Sequence, residues 1–194
     1  MRRAADLCTG VRVLLAPILA WLLLLPRAEA GCAPLLVYAV AAATDYVDGT
    51  LARAVGTASR AGRVFDHGAD ALLLFPAFWA LATRGRIPFV LPIAAVTAFA
   101  LYLVDGWRRG GGLAAIDLTG SRSGAIGGVL NYAIAAAAAA AVFLDAPPVD
   151  AAVYNAAFAI AAVNTMAALE RLALLLASAR ALPAVEREAR APRS

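Results

Sequence analysis

Six apolar stretches, each near the length a helix needs to cross a bilayer, run through this chain at residues 7–25, 32–49, 65–81, 88–104, 124–144 and 149–176. A spanning helix takes about 20 apolar residues, so six of them use most of the 194 residues and leave only short connections. The interruptions hold Pro26, Gly31, Gly56, Gly62, Gly85, Gly110 to Gly112, Pro147 and Pro148. Proline lacks a backbone donor and glycine loses the most chain entropy, so both stop helices. Composition agrees, with 63% hydrophobic and 15% charged residues and a mean hydropathy of +0.78. A soluble domain is about half apolar and a quarter charged. Disordered, collagen-like and ordinary soluble classes are thereby excluded. The expectation is an all-α, polytopic integral membrane protein with six transmembrane helices. One membrane domain would cover 1–180, followed by a charged cytosolic tail over 181–194.

All 17 basic residues are arginines. With both termini cytosolic, 14 of them lie on the cytosolic side, and only Arg27, Arg84 and Arg86 lie outside. That asymmetry favours this orientation, because cytosolic loops are enriched in Lys and Arg. The arginines read as topology marks, and no nucleic-acid partner is expected. Arg2, Arg3, a leucine-rich run and Ala28-Glu29-Ala30 imitate a secretory signal with its cleavage site. Arg12 and Pro17 interrupt that run, and the five later stretches need no such signal. Cys8 and Cys32 flank opposite ends of the first stretch, with roughly 30 Å of bilayer core between them, so no disulfide is expected.

The second stretch ends in TDYVDGTLAR, from Thr44 to Arg53, and the third opens with GRVFDHGAD, from Gly62 to Asp70. Asp45 and Asp48 are three apart, and Asp66 and Asp70 are four apart, so each pair shares one helix face. The short linker makes the two helices antiparallel neighbours whose acidic faces can converge. An acid costs about 2.5 to 3.5 kcal/mol at the centre of an inserted helix and less toward its ends. Four carboxylates close together also repel one another unless cations neutralise them. With oxygen ligands and no Cys or His cluster, Mg²⁺ or Mn²⁺ fits better than Zn²⁺. Mg²⁺ is typically held by a few carboxylates and the phosphate oxygens of a substrate. Phosphate chemistry at the cytosolic membrane face is the expectation. No other span is expected to hold a deep acid, which counts against the alternative of a carboxylate-lined ion or proton transporter with polar groups across the bilayer depth.

Asp45, Asp48, Gly49, Ala52, Arg53, Gly62, Asp66 and Asp70 spell DxxDGxxAR, eight intervening residues, then GxxxDxxxD. This closely resembles the signature of the CDP-alcohol phosphatidyltransferases, of the class I type, and a phosphatidylglycerophosphate synthase-like member is the first expectation within it. That family is similar in having six transmembrane helices, and Thr9, Arg12 and Pro17 resemble its first-helix TxxRxxxxP pattern. The resemblance implies metal-dependent transfer of a phosphatidyl or related substituted phosphoryl group from a CDP-linked donor, usually CDP-diacylglycerol, to a polar alcohol with release of CMP. It implies Asp45, Asp48, Asp66 and Asp70 as ligands of Mg²⁺ or Mn²⁺, two ions together, and Asp70 as the general base for the acceptor hydroxyl. Gly49, Ala52 and Gly62 match the small positions that let the nucleotide approach, and Arg53 matches the motif arginine that could hold phosphate or a neighbouring carboxylate. A homodimer in a bacterial or archaeal cell membrane, with its site facing the cytosol, is implied as well. A scaffold without activity would require loss of a signature element, and none is missing.

The acceptor is less legible. Arg108, Arg109 and Arg122 sit around the start of the fifth stretch, where cations could hold a phosphorylated alcohol such as glycerol 3-phosphate or inositol phosphate. Positive-inside bias explains them equally well. Glycerol 3-phosphate is the first expectation, although residues 121–132, SRSGAIGGVLNY, lack the basic, threonine-containing stretch common in the relatives that use it. Ala71 stands where many phospholipid-forming relatives place a lysine. His67, the only histidine, occupies a variable position of the signature and reads as incidental or as a partner of a metal ligand. Gly124 and Gly128 form a GxxxG expected to pack helices. Asn131, Asn155 and Asn164 are expected to hydrogen-bond between helices, and Glu170 and Arg171 to face water or headgroups.

Overall fold

Pro26 and Gly31 bracket the first break in the apolar pattern, and the chain turns there through a single helical turn rather than an open loop. The computed structural model describes residues 2–55, 60–110 and 120–189, with side chains described over 10–47, at 64, and over 66–110 and 120–178. The helices are α1 (Arg2–Leu24), α2 (Arg27–Ala30), α3 (Ala33–Val55), α4 (Arg60–Thr83), α5 (Val90–Gly110), α6 (Arg122–Leu144) and α7 (Pro147–Ala189). The six long helices coincide with the six apolar stretches, and the short α2 is an addition. Both α3 and α4 extend beyond their apolar runs, so the whole acidic motif lies on helix. α7 continues through the expected boundary at 180 as far as Ala189.

Local chemistry explains the ends. Ser121 caps α6 by accepting a hydrogen bond from the Gly124 amide at 3.2 Å. Gly85 adopts a φ of 68° after α4, a left-handed conformation that glycine takes without a Cβ penalty. Arg86 then donates to the Leu23 and Leu25 carbonyl oxygens at 3.3 and 3.4 Å. Carbonyls at a helix C-terminus have no intrahelical partner, so Arg86 satisfies the end of α1.

α1 packs against α3 and α4, both α5 and α6 pack against α7, and α3 meets α6. The buried centre holds Leu19 and Leu23 of α1, Leu73, Phe78 and Leu81 of α4, Leu91 of α5 and Val142 of α6. The outward faces present Trp21, Trp79, Val129, Phe143 and Leu169, all exposed. So many large apolar side chains facing out suit contact with lipid rather than water. Among the described residues, Val90–Gly110, Arg122–Leu144 and Pro147–Ser178 are long and apolar enough to cross a membrane, while Gly10–Leu24 and Ala33–Val47 are shorter apolar helices.

α6 and α7 are joined by a reciprocal amide pair. Asn131 donates to Asn164 Oδ1 at 3.1 Å, and Asn164 returns a bond to Asn131 Oδ1 at 2.9 Å, both side chains being buried. The expected bonding between helices therefore holds for these two asparagines. The GxxxG expectation does not transfer. A Cβ on Gly128 would meet nothing within 4 Å, and one on Gly124 would meet only the capping Ser121. The close approach occurs at Gly127, where a Cβ would lie 3.3 Å from Asn164 Oδ1. Cys32 is a free, exposed thiol, and the side chain of Cys8 lies outside the described residues.

Candidate active site

α3 ends and α4 begins at the same end of the bundle, so their acidic faces converge, and α1 inserts a cation between them. Arg12 is fully buried. Its Nη1 donates to Asp45 Oδ1 at 2.6 Å and to Asp70 Oδ1 at 2.5 Å, and its Nη2 lies 3.8 Å from Asp66 Oδ1. One nitrogen thus holds oxygens from two helices within about 5 Å of each other. Arg12 is sealed inside, whereas the Asp45, Asp66 and Asp70 side chains retain 40%, 52% and 28% of their exposure. The carboxylates therefore form an open rim over a buried positive floor.

Tyr132 of α6 donates its hydroxyl to Asp70 Oδ1 at 2.5 Å, and Tyr38 of α3 donates to the Tyr132 carbonyl oxygen at 2.6 Å. Both bonds to Asp70, from Arg12 and from Tyr132, fall on Oδ1. Oδ2 has no hydrogen-bond partner among the described residues and is left for another group. Three of the four expected aspartates are accordingly brought together. Asp48 lies on α3, but its side chain is outside the described residues, as are those of Ala52 and Arg53; Gly49 lies on α3 and Gly62 on α4. Among the described residues no three metal-ligating side chains already stand as a coordination cluster. The donor set still suits a hard cation: it is all oxygen, drawn from two helices, and already gathered around one positive charge.

A second ionic cluster lies at the same end. Asp105 of α5 and Arg171 of α7 are each about 5% exposed and are hydrogen-bonded to each other. Arg109 approaches the same Asp105 oxygen at 2.8 Å. Arg171 also lies over the Tyr102 ring, 5.3 Å from its centroid, and Tyr102 stacks on His67 at 5.8 Å.

The family model for CDP-alcohol phosphatidyltransferase matches residues 2–182. The chain belongs to that family. A CDP-diacylglycerol--glycerol-3-phosphate 3-phosphatidyltransferase of Pseudomonas fluorescens is 38% identical over 92 residues, which is 47% of this chain and 47% of the relative. A CMP-forming cardiolipin synthase of Streptomyces coelicolor (strain ATCC BAA-471 / A3(2) / M145) is 33% identical over 91 residues, 45% of this chain and 42% of the relative. The chain spans about half the length of the curated relatives it matches.

Against the family signature, the structure adds partners that the motif does not name. Arg12 was visible as a charge inside an apolar run, which by itself demands a counter-charge. Tyr132 and the Asp105–Arg171 pair were not anticipated. Asp105 is a buried acid that the sequence did not single out, at the same end as the other site acids, and Arg171 corrects the expectation of a water-facing side chain. Glu170 is exposed and accepts a hydrogen bond from Ser123. The three expected acceptor arginines differ in their surroundings. Arg109 is committed to Asp105, Arg108 donates to the Leu175 carbonyl oxygen at 3.4 Å, and Arg122 is exposed on the first residue of α6. Asn155 has no interhelical partner among the described residues and lines a cavity at the opposite end.

Proposed function

We propose that this chain catalyses transfer of a phosphatidyl or related substituted phosphoryl group from a CDP-linked donor, CDP-diacylglycerol in the first instance, to a polar alcohol with release of CMP. The observation that carries this reading is the gathering of Asp45, Asp66 and Asp70 from two helices around one buried guanidinium, within a family match covering residues 2–182. Asp45, Asp48, Asp66 and Asp70 would hold Mg²⁺ or Mn²⁺. When bound there, such ions neutralise pyrophosphate oxygens and stabilise the charge developing on the departing phosphate.

The chain's own groups then have separate tasks. Asp70, fixed through Oδ1 by Arg12 and Tyr132, presents Oδ2 to take the proton of the acceptor hydroxyl. The alcohol oxygen forms a bond to the phosphorus of the transferred group, the bond from that phosphorus to the bridging oxygen breaks, and CMP leaves with the electron pair. No covalent nucleophile is needed, because displacement of this kind depends on positioning and electrostatics. Gly49, Ala52 and Gly62 leave room for the nucleotide, and Arg53 supplies a cation for phosphate or carboxylate.

Glycerol 3-phosphate is the proposed acceptor, supported by the activity named for the Pseudomonas relative; the exposed Arg122 would receive its phosphate, with Arg108 and Arg109 adding positive charge beside it. All six long helices would cross the membrane, with the aspartates at the cytosolic face and two copies forming the working unit. A transporter reading is disfavoured because, among the described residues, the buried Asp105 lies at the same end as Asp45, Asp66 and Asp70, while Asp145 and Asp150 at the other end are paired with Arg27, which leaves no acid between the two ends. The test is purified protein with CDP-diacylglycerol, Mg²⁺ or Mn²⁺ and a panel of alcohols, reading CMP release and lipid mass. CMP formed in step with phosphatidylglycerophosphate supports the full reading. CMP formed with a different alcohol revises the acceptor alone, and no CMP with any alcohol overturns the reading.

A further inference from the structure

At the end of the bundle away from the aspartates, a cavity of about 810 Å³ opens between the α1–α2 turn, the loop after α4 and the start of α7. Its lining includes Arg27, Arg84, Arg86, Asp150, Tyr154 and Asn155. Two of the three arginines are engaged. Arg27 donates to Asp145 and Asp150 at 2.6 and 2.5 Å, and Arg86 reaches the α1 carbonyls through long bonds of 3.3 and 3.4 Å. Arg84 is exposed, and its guanidinium has no partner among the described residues. Among the described residues, the lining sets one carboxylate, Asp150, against three guanidinium groups, and that carboxylate is paired with Arg27. Burial, then the charges of Arg27 and Arg84, pull Arg86 below the usual arginine value. An anion entering this space would relieve that repulsion.

The surroundings point to a lipid. Trp21, Trp79 and Phe89 are exposed at the same end, the last two in edge-to-face contact with centroids 5.8 Å apart. Aromatic side chains of this kind gather where headgroups meet acyl chains. Arginine forks, a phenol and an amide together suit a phosphate ester, whose oxygens accept several hydrogen bonds at once.

We infer that this cavity binds the phosphate group of an anionic phospholipid in the leaflet opposite the aspartates, with Arg84 as its uncommitted cation. The inference is independent of the reaction proposed for the other end.

The test uses the full chain in neutral detergent, with wild type, Arg84→Gln and Asp150→Asn compared by native mass spectrometry after incubation with phosphatidylglycerol or phosphatidylcholine. Inorganic phosphate is titrated separately. Arg84→Gln should retain phosphatidylglycerol at least about threefold less well, and Asp150→Asn, which releases Arg27 Nη2 and removes the cavity's one carboxylate, should retain it better. Phosphatidylcholine retention should not change. A variant that merely misfolds cannot bind more tightly, so the two substitutions moving in opposite directions separate charge from damage. The same opposed response for inorganic phosphate without one for the lipid would overturn the headgroup as the source. Retention of phosphatidylglycerol unchanged by both substitutions would overturn the site altogether.

Discussion

Asp70 is the residue on which most of the chemistry converges, because one of its oxygens is held by two donors and the other is not. Replacing it with Asn keeps the shape but removes the proton acceptor. Asp70→Asn should lower the CMP release rate by at least about a hundredfold, the usual scale of a general base, while circular dichroism and thermal melting remain close to wild type. Tyr132→Phe leaves the carboxylate in place and removes only the bond that orients it. Its expected effect is about tenfold, corresponding to roughly 1.5 kcal/mol for a hydrogen bond to a charged group, and it should fall on kcat with KM nearly unchanged. Arg12 has a different role, since it neutralises the acids while no other cation is present. Arg12→Met should therefore melt at lower temperature than wild type in metal-free buffer, and Mn²⁺ should recover more stability in the variant than in wild type. An equal metal response in both proteins would remove Arg12 from that role.

Among the elements, α5 and α7 are locked by a buried charge pair rather than by apolar contact alone. Removing one partner of such a pair leaves the other charge buried and costs about 3 to 5 kcal/mol, whereas replacing both with apolar groups is close to neutral. Asp105→Ala should thus strongly lower the melting temperature in detergent, and Asp105→Leu combined with Arg171→Met should restore much of it. The helices themselves were legible, because contact with lipid demands long apolar runs and Pro or Gly punctuates them. The pairing of Asp105 with Arg171 was not. It depends on how α5 and α7 are rotated about their axes, and helices apolar on nearly every side give no periodic signal of rotation. α6 shows the same limit: its alanine run, Ala135 to Ala141, has no preferred face, so neither the Tyr132 bond to Asp70 nor the close approach at Gly127 could be read from spacing. The two acidic faces could be read, since three- and four-residue intervals place charges on one side regardless of rotation.

Across the whole molecule, charge is sorted to the two ends of an apolar bundle. One end carries aspartates around a buried arginine, and the other carries arginines around an open cavity. The first arrangement was foreshadowed by the spacing of Asp45, Asp48, Asp66 and Asp70; the second was not, because Arg27, Arg84 and Arg86 come from two separate connections that only the fold brings together. The account as a whole depends on the aspartate end holding divalent ions against a nucleotide diphosphate. Electron paramagnetic resonance of Mn²⁺ titrated into the purified protein measures this directly. Wild type should bind Mn²⁺, more tightly with a CDP-linked lipid present, and Asp45→Asn should weaken that binding by at least about tenfold. Identical Mn²⁺ binding by wild type and Asp45→Asn, unaffected by the CDP-linked lipid, would contradict it.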